Sequence, residues 1–375
     1  MNDAGNSTLH DIAFASLRGM NLAIARQMAE IAPGVDAQRF FSMDERELER
    51  AFGIKTAVFS SQSRRKALDE ASREMEWVTK HGIECIAWTS ARYPQRLLEC
   101  EDAPLMLYGR GNTDLDSQAV ISIVGTRRAT VYGTSFVERT VAELVEKLPT
   151  APVVVSGLAL GIDIAAHRAA LNAGCPTVAV MATGLNSIYP AVHRTEARRI
   201  IDNGGMVLTE YRSIDAIHRG NFLARNRIVA GLADVTLLAE SAEKGGAITT
   251  ARLAAEYDRH VAALPGRASD RYSRGCNKLI ADARAALVQD SDDIIALAGW
   301  PTRQKPSMPV QQTLFPELDE NETRVVELIR THGELHQNEL AALLSLPFHV
   351  LAATLMDLEF KRIVAQIPGG RYMLV

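Results

Sequence analysis

From residue 119 onward, short runs of apolar and β-branched residues alternate with longer stretches of helical character. The predicted strands are Ala119–Val124, Pro152–Ser156, Thr177–Met181, Met206–Leu208, Val235–Leu238 and His260–Ala263. The helical stretches between them include Tyr132–Leu148, Ile162–Asn172 and Ala191–Asp202. Apolar strands that alternate with helices are typical of a parallel sheet covered on both faces. The pattern therefore predicts an α/β fold in which residues 111–300 form a Rossmann-like domain with a parallel sheet.

Residues 1–110 have a different pattern, with short helices punctuated by glycines at Gly19 and Gly53. We expect a helical N-terminal domain, similar to SAM or helix–hairpin–helix modules, followed by a connector with one strand at Gly82–Trp88. Helix–hairpin–helix modules can contact a DNA backbone through glycine amides. The second glycine of that motif is replaced here by Asn21, which favours a packing role over DNA contact.

The C-terminal part begins with a proline-spaced, polar segment at residues 301–318, which predicts a semi-extended linker. Residues 319–375 fit a winged helix, with helices and hairpin strands at Glu322–Arg330, His336–Leu344, Phe348–Lys361, Ile363–Ile367 and Arg371–Val375. The third helix has no Lys or Arg before Lys361. Because cations set the affinity for phosphate, a protein-contact or packing role is favoured over DNA binding.

Composition is that of an ordinary globular protein: 375 residues, 47% hydrophobic, 23% charged and a net charge of −4. A nearly neutral chain does not coat nucleic acid by bulk charge, although a local basic patch remains possible. The four cysteines are too scattered for a metal site. No secretory signal and no membrane-spanning run is evident, so we expect no metal, no membrane association and a cytoplasmic location.

The segment 219–258 combines a helix, a buried strand, a glycine turn and a second helix. The turn at Lys244-Gly245-Gly246 leads directly into the second helix. Free backbone N–H groups and the positive end of a helix dipole meet there, which suits a phosphate. Arg219 lies at the start of the first helix. The segment therefore predicts an anion-binding site.

Other strand ends carry similar loops, namely Gly125-Thr126-Arg127, Ser156-Gly157 and Gly184-Leu185-Asn186. Ligands of open α/β sheets bind at the carboxyl ends of the strands. Turns that need glycine at positive φ explain each loop singly, but they do not explain the cations within them. The basic stretch 267–280 follows the last strand, and both a ligand role and a solvated surface remain open for it.

Several common activities lack their signatures in this sequence. No GxGxxG or GxxxxGK[ST] loop is present, and no catalytic Ser-His-Asp or Cys-His set stands out. His167 is interpreted as a structural histidine and Asp163 as a helix cap. We therefore expect no cofactor and no enzymatic activity.

Taken together, these motifs resemble the DNA processing protein A family (DprA, also called Smf) over nearly the whole chain. The motifs that carry the resemblance are Gly125-Thr126-Arg127-Arg128 with Tyr132-Gly133, Ser156-Gly157-Leu-Ala-Leu-Gly161-Ile-Asp163 with His167, Gly184-Leu185-Asn186 with Tyr189-Pro190, Phe222-Leu-Ala-Arg225-Asn226-Arg227, Gly245-Gly246 with Thr249-Thr250-Ala251, and Gly275-Cys-Asn277-Lys-Leu-Ile280.

The resemblance implies a bacterial protein that binds and protects incoming single-stranded DNA and loads the RecA recombinase during natural transformation and homologous recombination. It also implies a homodimer formed through the Rossmann-like domain, without catalysis or cofactor. The DNA-binding residues that it implies are Gly125, Thr126, Arg127, Ser156, Gly157, Arg219, Phe222, Arg225, Asn226, Lys244, Gly245, Gly246, Thr249, Thr250, Asn277 and Lys278.

Two positions in this set allow a sharper prediction. Arg225 and Arg227 are two residues apart on a helix, so they project from its opposite sides. We expect one to meet DNA and the other to make an internal ion pair, with Glu210 or Asp234 as its partner. Phe222 is a candidate platform for a stacked base, and packing in the core is the alternative.

The main alternative function is a Rossmann-like phosphoribohydrolase that acts on nucleoside monophosphates. Its GGxGTxxE loop aligns with residues 245–252, but Ile248 stands at the third glycine and Arg252 at the catalytic glutamate. Loss of that carboxylate removes general acid–base help at the glycosidic bond. A transcription regulator that uses the winged helix is a further alternative, and the cation-poor third helix disfavours it.

Overall fold

A computed structural model of the chain describes residues 3–303, 318–367 and 369–375. The chain divides into two compact units, the first ending at Arg303. Most of the predicted linker, residues 304–317, lies outside the described ranges. Its first residues belong to the first unit, since the Arg303 N–H donates to the Lys147 carbonyl oxygen over 2.6 Å.

The first unit is built on a nine-stranded sheet with strand order β1-β2-β6-β5-β4-β3-β7-β8-β9. The strands are β1 Glu84–Ala87, β2 Met106–Gly111, β3 Val120–Gly125, β4 Val153–Ser156, β5 Thr177–Val180, β6 Met206–Thr209, β7 Val235–Glu240, β8 His260–Ala263 and β9 Ala286–Leu287. Strands β3 to β9 pair in parallel, while β1 and β2 are antiparallel. The predicted α/β fold with a Rossmann-like sheet is confirmed.

All six strands predicted beyond residue 119 are present, and the strand predicted at Gly82–Trp88 corresponds to β1. No strand was expected at Met106–Gly111, yet β2 joins β1 to β6, the last strand of the parallel part of the sheet. The sheet therefore begins before residue 111, within the range that the sequence assigns to the N-terminal domain. The short edge strand β9 was also not expected.

Helices cover both faces of the sheet because side chains alternate across each strand. In β3, Val120 and Val124 join one buried cluster, whereas Ile121 and Ile123 join the other. The helices of this domain are α7 Val131–Lys147, α8 Ile162–Ala173, α9 Arg194–Asp202, α10 Arg219–Ala224, α11 Asn226–Gly231, α12 Gly246–Glu256, α13 Arg274–Ala281 and α14 Ser291–Ala298. A short 3₁₀ turn at Ala191–His193 precedes α9.

The N-terminal helices are α1 Asp3–Ser16, α2 Leu22–Ile31, α3 Ala37–Ser42, α4 Glu45–Phe52 and α5 Ser61–His81, with the short α6 Gln95–Leu98 after β1. Their core includes Phe40 and Phe59 and is continuous with Met106 of β2. The Asn21 side chain accepts a hydrogen bond from the Ile24 N–H over 2.9 Å and so caps α2. Asn21 thus serves its own helix, as the packing interpretation expects.

The second unit has helices α15 Glu320–His332, α16 Gln337–Leu344 and α17 Phe348–Phe360, and a small sheet of β10 Glu334–His336, β11 Val364–Ile367 and β12 Arg371–Leu374. The predicted three helices and hairpin of a winged helix are present. Strand β10, which was not expected, pairs with β12.

The exposed face of α17 is apolar where a DNA-reading helix would carry cations. Met356 is 65% exposed and Phe360 86% exposed. Lys361, which follows the helix, is held by Glu322 at 2.6 and 2.7 Å from the two carboxylate oxygens. Lys361, the first lysine or arginine in sequence after the start of α17, is therefore already paired with a carboxylate.

No single helix within residues 3–303, 318–367 and 369–375 is long and apolar enough to cross a membrane, and only α16 and α17 together, bent by 116°, reach that length and composition.

Asp234, just before β7, joins three parts of the first unit. It accepts hydrogen bonds from the Arg96 guanidinium, the Val120 N–H at 2.9 Å and the Trp300 indole N–H at 3.3 Å. Removing one partner of a largely desolvated pair leaves the other charge uncompensated. Asp234 therefore ties α6 and the end of the domain to the centre of the sheet.

We expect Asp234→Ala to lower the free energy of unfolding of the first unit by about 2–4 kcal/mol. Asp202→Ala is the matched control, because Asp202 is 63% exposed in its pair with Arg198 and such pairs contribute about 0.5 kcal/mol or less. Urea unfolding of both variants measures the difference. Equal losses would show that Asp234 is no more important than a surface carboxylate.

Candidate nucleic-acid interface

A cavity of about 750 Å³ opens at the carboxyl edge of the parallel strands. The loops after β3, β4 and β7 form it together with α10, the start of α12 and residues 271–272. Twelve of the sixteen predicted residues line it: Gly125, Thr126, Arg127, Gly157, Arg219, Phe222, Arg225, Asn226, Lys244, Gly245, Gly246 and Thr250. The cavity lies where the strand-end pattern predicts a ligand site.

The other four predicted residues, Ser156, Thr249, Asn277 and Lys278, do not line the cavity. Ser156 is fully buried and donates to the Ile123 carbonyl oxygen over 2.7 Å. Asn277 holds the backbone of Gly266 through bonds of 2.9 and 3.1 Å. These two side chains support the loops, while Thr249 and Lys278 lie on α12 and α13 outside the cavity wall.

Five cations around the cavity are exposed: Arg127, Arg128, Arg219, Lys244 and Arg271. Within the described ranges none of them forms an ion pair with a carboxylate, whereas Arg168, Arg212 and Arg259 elsewhere in the same unit do. Asp163 is the lone carboxylate in the cavity lining. The cavity is therefore strongly positive within a chain that is nearly neutral.

At the carboxyl edge of the sheet, glycine is required mainly where neighbouring atoms pack too closely to leave room for a side chain. Gly161 has a positive φ of 81°, so the explanation that these turns need glycine for its backbone freedom holds at this position. Gly125, Gly157 and Gly245 do not have a positive φ, so it does not hold for them. A Cβ on Gly157 would lie 2.5 Å from the guanidinium of Arg225. A Cβ on Gly246 would find its nearest neighbour at 3.9 Å. Gly246 thus has open space beside it, whereas a Cβ on Gly245 would lie 3.0 Å from the Ser241 hydroxyl oxygen.

Helix α12 starts in that open space without a side-chain cap. Its N-cap residue is Gly245, so no side chain bonds the first amides of the helix. Uncapped N–H groups and the positive end of the helix dipole favour an anion. The start of α12 therefore adds amide donors to the exposed cations.

Arg225 forms the floor of the cavity and is only 5% exposed. Its guanidinium donates to the carbonyl oxygens of Val180 and, over 2.6 Å, Gly157, while its Nε–H donates to Asn226 over 3.2 Å. Asn226 in turn donates to the Gly246 carbonyl oxygen at 3.4 Å. One buried cation thus links the ends of β4 and β5 to the start of α12.

Arg227 points away from the cavity and pairs with Glu210. The predicted internal ion pair is therefore confirmed for Arg227, with Glu210 as the partner, whereas Asp234 pairs with Arg96. Of the two arginines, only Arg225 reaches the cavity, and its Nε and Nη1 donors are engaged by the protein.

Phe222 is partly exposed on α10 and lies outside the hydrophobic clusters of the described residues. The core-packing alternative for it is wrong. Its ring meets Tyr189 edge to face, with centroids 5.1 Å apart and planes at 64°. This arrangement leaves an aromatic pair at the cavity wall, because Tyr189 also lines it.

Asp163 and His167 are both buried in α8. The Asp163 carboxylate accepts from the Ala159 N–H over 3.4 Å, and burial raises its pKa although Arg225 opposes the shift. His167 lies 2.7 Å from the Thr177 hydroxyl, and burial lowers its pKa to about 3, so the ring is neutral. His167 is structural, as predicted. The predicted helix-cap role of Asp163 is wrong, because the N-cap of α8 is Gly161 without a side-chain cap and Asp163, inside the helix, holds the Ala159 amide instead.

Sequence reasoning missed Tyr189 and Tyr272 as cavity residues and gave no role to Arg128. Tyr189 was noted only as part of a Tyr-Pro motif. Arg271 lay in the basic stretch whose role was left open. The scarcity of aromatic residues, at 6% of the chain, is the signal that could have drawn attention to both tyrosines.

Comparison with known proteins identifies the family. The family described as DNA recombination-mediator protein A matches residues 84–299. The chain belongs to the DprA/Smf family. The DprA winged helix domain also matches, over residues 310–370, in agreement with the fold of the second unit.

DprA/Smf relatives include the DNA processing protein DprA of Streptococcus pneumoniae, which is 40% identical over 54% of this chain and 70% of its own. Protein Smf of Escherichia coli K12 is 31% identical over 78% of each chain. The S. pneumoniae relative is named for DNA processing, and the family description names mediation of DNA recombination.

Solved DprA structures have the same fold. The S. pneumoniae DprA structure has a TM-score of 0.64 at 32% identity and covers 78% of this chain and 97% of its own. The Helicobacter pylori DprA structure has a TM-score of 0.52 at 31% identity and covers 58% of this chain and 97% of its own. Its description concerns the single-stranded DNA binding mode of that protein.

The contrast between Gly157 and Gly246 generates a stability prediction. We expect Gly157→Ala to lower the free energy of unfolding by about 1–3 kcal/mol, because the new methyl group collides with Arg225. Gly246→Ala should change it by no more than about 0.5 kcal/mol. Thermal and urea unfolding of the two variants test the difference. A neutral Gly157→Ala would show that the Arg225 floor is loosely held.

Proposed function

We propose that this protein binds single-stranded DNA in the cavity, protects it, and loads the RecA recombinase onto it during homologous recombination and natural transformation. The observation that carries the proposal is the ring of five exposed cations without carboxylate partners around an open cavity. Family membership supports the wider role. We take the location to be cytoplasmic, where incoming DNA and RecA meet.

The chemistry of the cavity suits a phosphate backbone. Arg127, Arg219 and Lys244 offer charge, and the start of α12 offers amides. Charge-assisted hydrogen bonds to phosphate oxygens are shorter and stronger than neutral ones. Such contacts are independent of base sequence, which suits a protein that handles DNA of any origin.

The aromatic pair supports a single strand over a duplex. A base can stack on Phe222 only when it is free of its complementary strand, and each stacked base contributes about 1–3 kcal/mol. Tyr189 supports the Phe222 ring from its edge. Duplex DNA presents phosphates to the same cations but keeps its bases away from Phe222.

Arg225 has a different part in this proposal from the exposed cations. Its Nε and Nη1 donors are occupied by Asn226, Gly157 and Val180, so it shapes the cavity and adds positive potential beneath the DNA. Substitution of Arg225 therefore acts through the positions of the loops.

Homodimerisation through the Rossmann-like domain and contact with RecA are parts of the proposal that rest on family membership. For the winged helix we propose a protein-contact role. Its exposed α17 face is apolar, and Lys361 is engaged by Glu322.

Hydrolysis of nucleoside monophosphates has little support from this site. Arg252, at the position of the catalytic glutamate, is 64% exposed and faces Glu256 at 3.5 Å. Asp163 holds the Ala159 amide at the cavity floor. Incubation of the pure protein with AMP should release no adenine, and release that is abolished by changes in residues 245–252 would favour the hydrolase.

Salt dependence tests the binding proposal. We expect the protein to prefer single-stranded oligonucleotides to duplexes and to lose affinity steeply as salt rises. Arg127→Ala and Lys244→Ala should each weaken binding about tenfold and reduce the salt slope by about one unit. Fluorescence anisotropy at several salt concentrations gives both quantities.

Arg198→Ala is the matched control, because Arg198 is 85% exposed on α9 and outside the cavity. It should leave both affinity and slope unchanged. Equal affinity for duplex and single strand, or an Arg198 effect as large as that of Arg127, would contradict the cavity as the binding site.

A separate measurement tests the RecA role. Full-length protein should speed the nucleation of RecA filaments on single-stranded DNA, observed by electron microscopy or by DNA-dependent ATP hydrolysis of RecA. Lys244→Ala should reduce this effect at DNA concentrations where the variant is not saturated. Normal DNA binding without any effect on RecA would leave the binding proposal intact and remove the loading role.

A further inference from the structure

Only part of the basic stretch 267–280 reaches the cavity. Arg271 and Tyr272 line it, whereas Arg267, Arg274 and Lys278 do not. The Tyr272 carbonyl oxygen accepts a hydrogen bond of 2.6 Å from the Ser241 N–H, directly after β7. This bond fixes the backbone of Tyr272 beside the glycine turn that leads into α12.

The ring of Tyr272 is not needed for folding of the core. It is partly exposed and belongs to no hydrophobic cluster of the described residues, and within them its hydroxyl makes no hydrogen bond. The guanidinium carbon of Arg271 lies 5.9 Å from the ring centroid. A cation near a partly exposed ring is an arrangement found where bases stack on proteins.

Sheet topology separates this ring from the aromatic pair at Phe222. Tyr189 follows β5 and Tyr272 is held to the end of β7, and the strands run β5-β4-β3-β7. Three inter-strand steps correspond to roughly 14 Å. A strand that spans this distance uses several nucleotides, since successive stacked nucleotides are spaced by about 3.4 Å.

We propose that Tyr272, together with Arg271, forms a second base-stacking subsite, which binds a different nucleotide of the strand held at Phe222. The subsite rests on the proposed binding of single-stranded DNA in this cavity. Arg127 follows β3, which lies between β5 and β7 in the sheet, and the Lys244–Gly246 turn follows β7 beside Tyr272, so both are placed to hold phosphates of the strand. The cavity is thereby a two-point clamp that senses the length of a strand.

Alanine substitution in the full-length protein tests the subsite, with binding of a fluorescent ten-nucleotide oligothymidylate measured by anisotropy. Tyr272→Ala should weaken binding about 5- to 100-fold with an unchanged salt slope, because it removes no phosphate contact. Tyr272→Phe should bind like the wild type, since it keeps the ring. Phe360→Ala, which removes an aromatic side chain that is 86% exposed in the winged helix, is the remote control.

Abasic sites placed one at a time along the oligonucleotide locate the stacked bases in the wild-type protein, even if Tyr272→Ala impairs folding. Two sensitive positions should appear, about two to four nucleotides apart. Sensitivity at one should vanish in Tyr272→Ala and at the other in Phe222→Ala. A thymidine mononucleotide should bind wild type and Tyr272→Ala equally, because it occupies the Phe222 subsite.

A single sensitive position, or wild-type affinity of Tyr272→Ala, would overturn the second subsite while leaving the proposed function intact. An equal loss in Tyr272→Phe would also overturn it, since the hydroxyl and not the ring would then be responsible. Failure of the wild-type protein to bind the oligonucleotide at all would instead overturn the proposed function, and the subsite with it.

Discussion

Beneath the cavity, the guanidinium of Arg225 donates to the carbonyl oxygens of Gly157 and Val180, at the ends of two neighbouring strands. Through Asn226 the same network reaches the start of α12. Loops at a sheet edge have no ladder to hold them, so a shared donor fixes their spacing. Glycine at position 157 leaves room for this guanidinium, which lies 2.5 Å from where a Cβ would be. The exposed cations and amides above are aligned only while this floor is intact.

Much of the fold could be predicted from the sequence because its strands are short, continuous apolar runs. The six runs beyond residue 119 all form strands, and the three helices and hairpin of the second unit lie close to their expected limits. Strand β2 was missed because Tyr108, Gly109 and Arg110 break the apolar pattern. Its stability comes from pairing with β1 and β6 on either side, a long-range effect that local pattern does not report.

The loops of the candidate site could be predicted from the sequence because each contains glycine with a cation nearby. The direction in which a side chain points is harder to predict from the sequence. Ser156 and Asn277 have the polar character of ligand residues, yet Ser156 bonds the backbone of strand β3 and Asn277 bonds the backbone of Gly266. Because side chains two residues apart project from opposite sides of a helix, Arg225 and Arg227 were expected to have different surroundings. The structure agrees, since Arg225 lines the cavity and Arg227 pairs with Glu210. Helical spacing could not reveal that Arg225, the one on the cavity side, uses its Nη1 donors to hold two backbone carbonyl oxygens.

The five cations without carboxylate partners have a consequence for the free protein. Crowded like charges repel one another, so the empty cavity lowers the stability of the fold around it. A polyanion that binds the folded chain and not the unfolded one relieves that repulsion and stabilises the fold by mass action. Under the proposed function, occupancy of the cavity by nucleic acid and integrity of the first unit are therefore one coupled equilibrium.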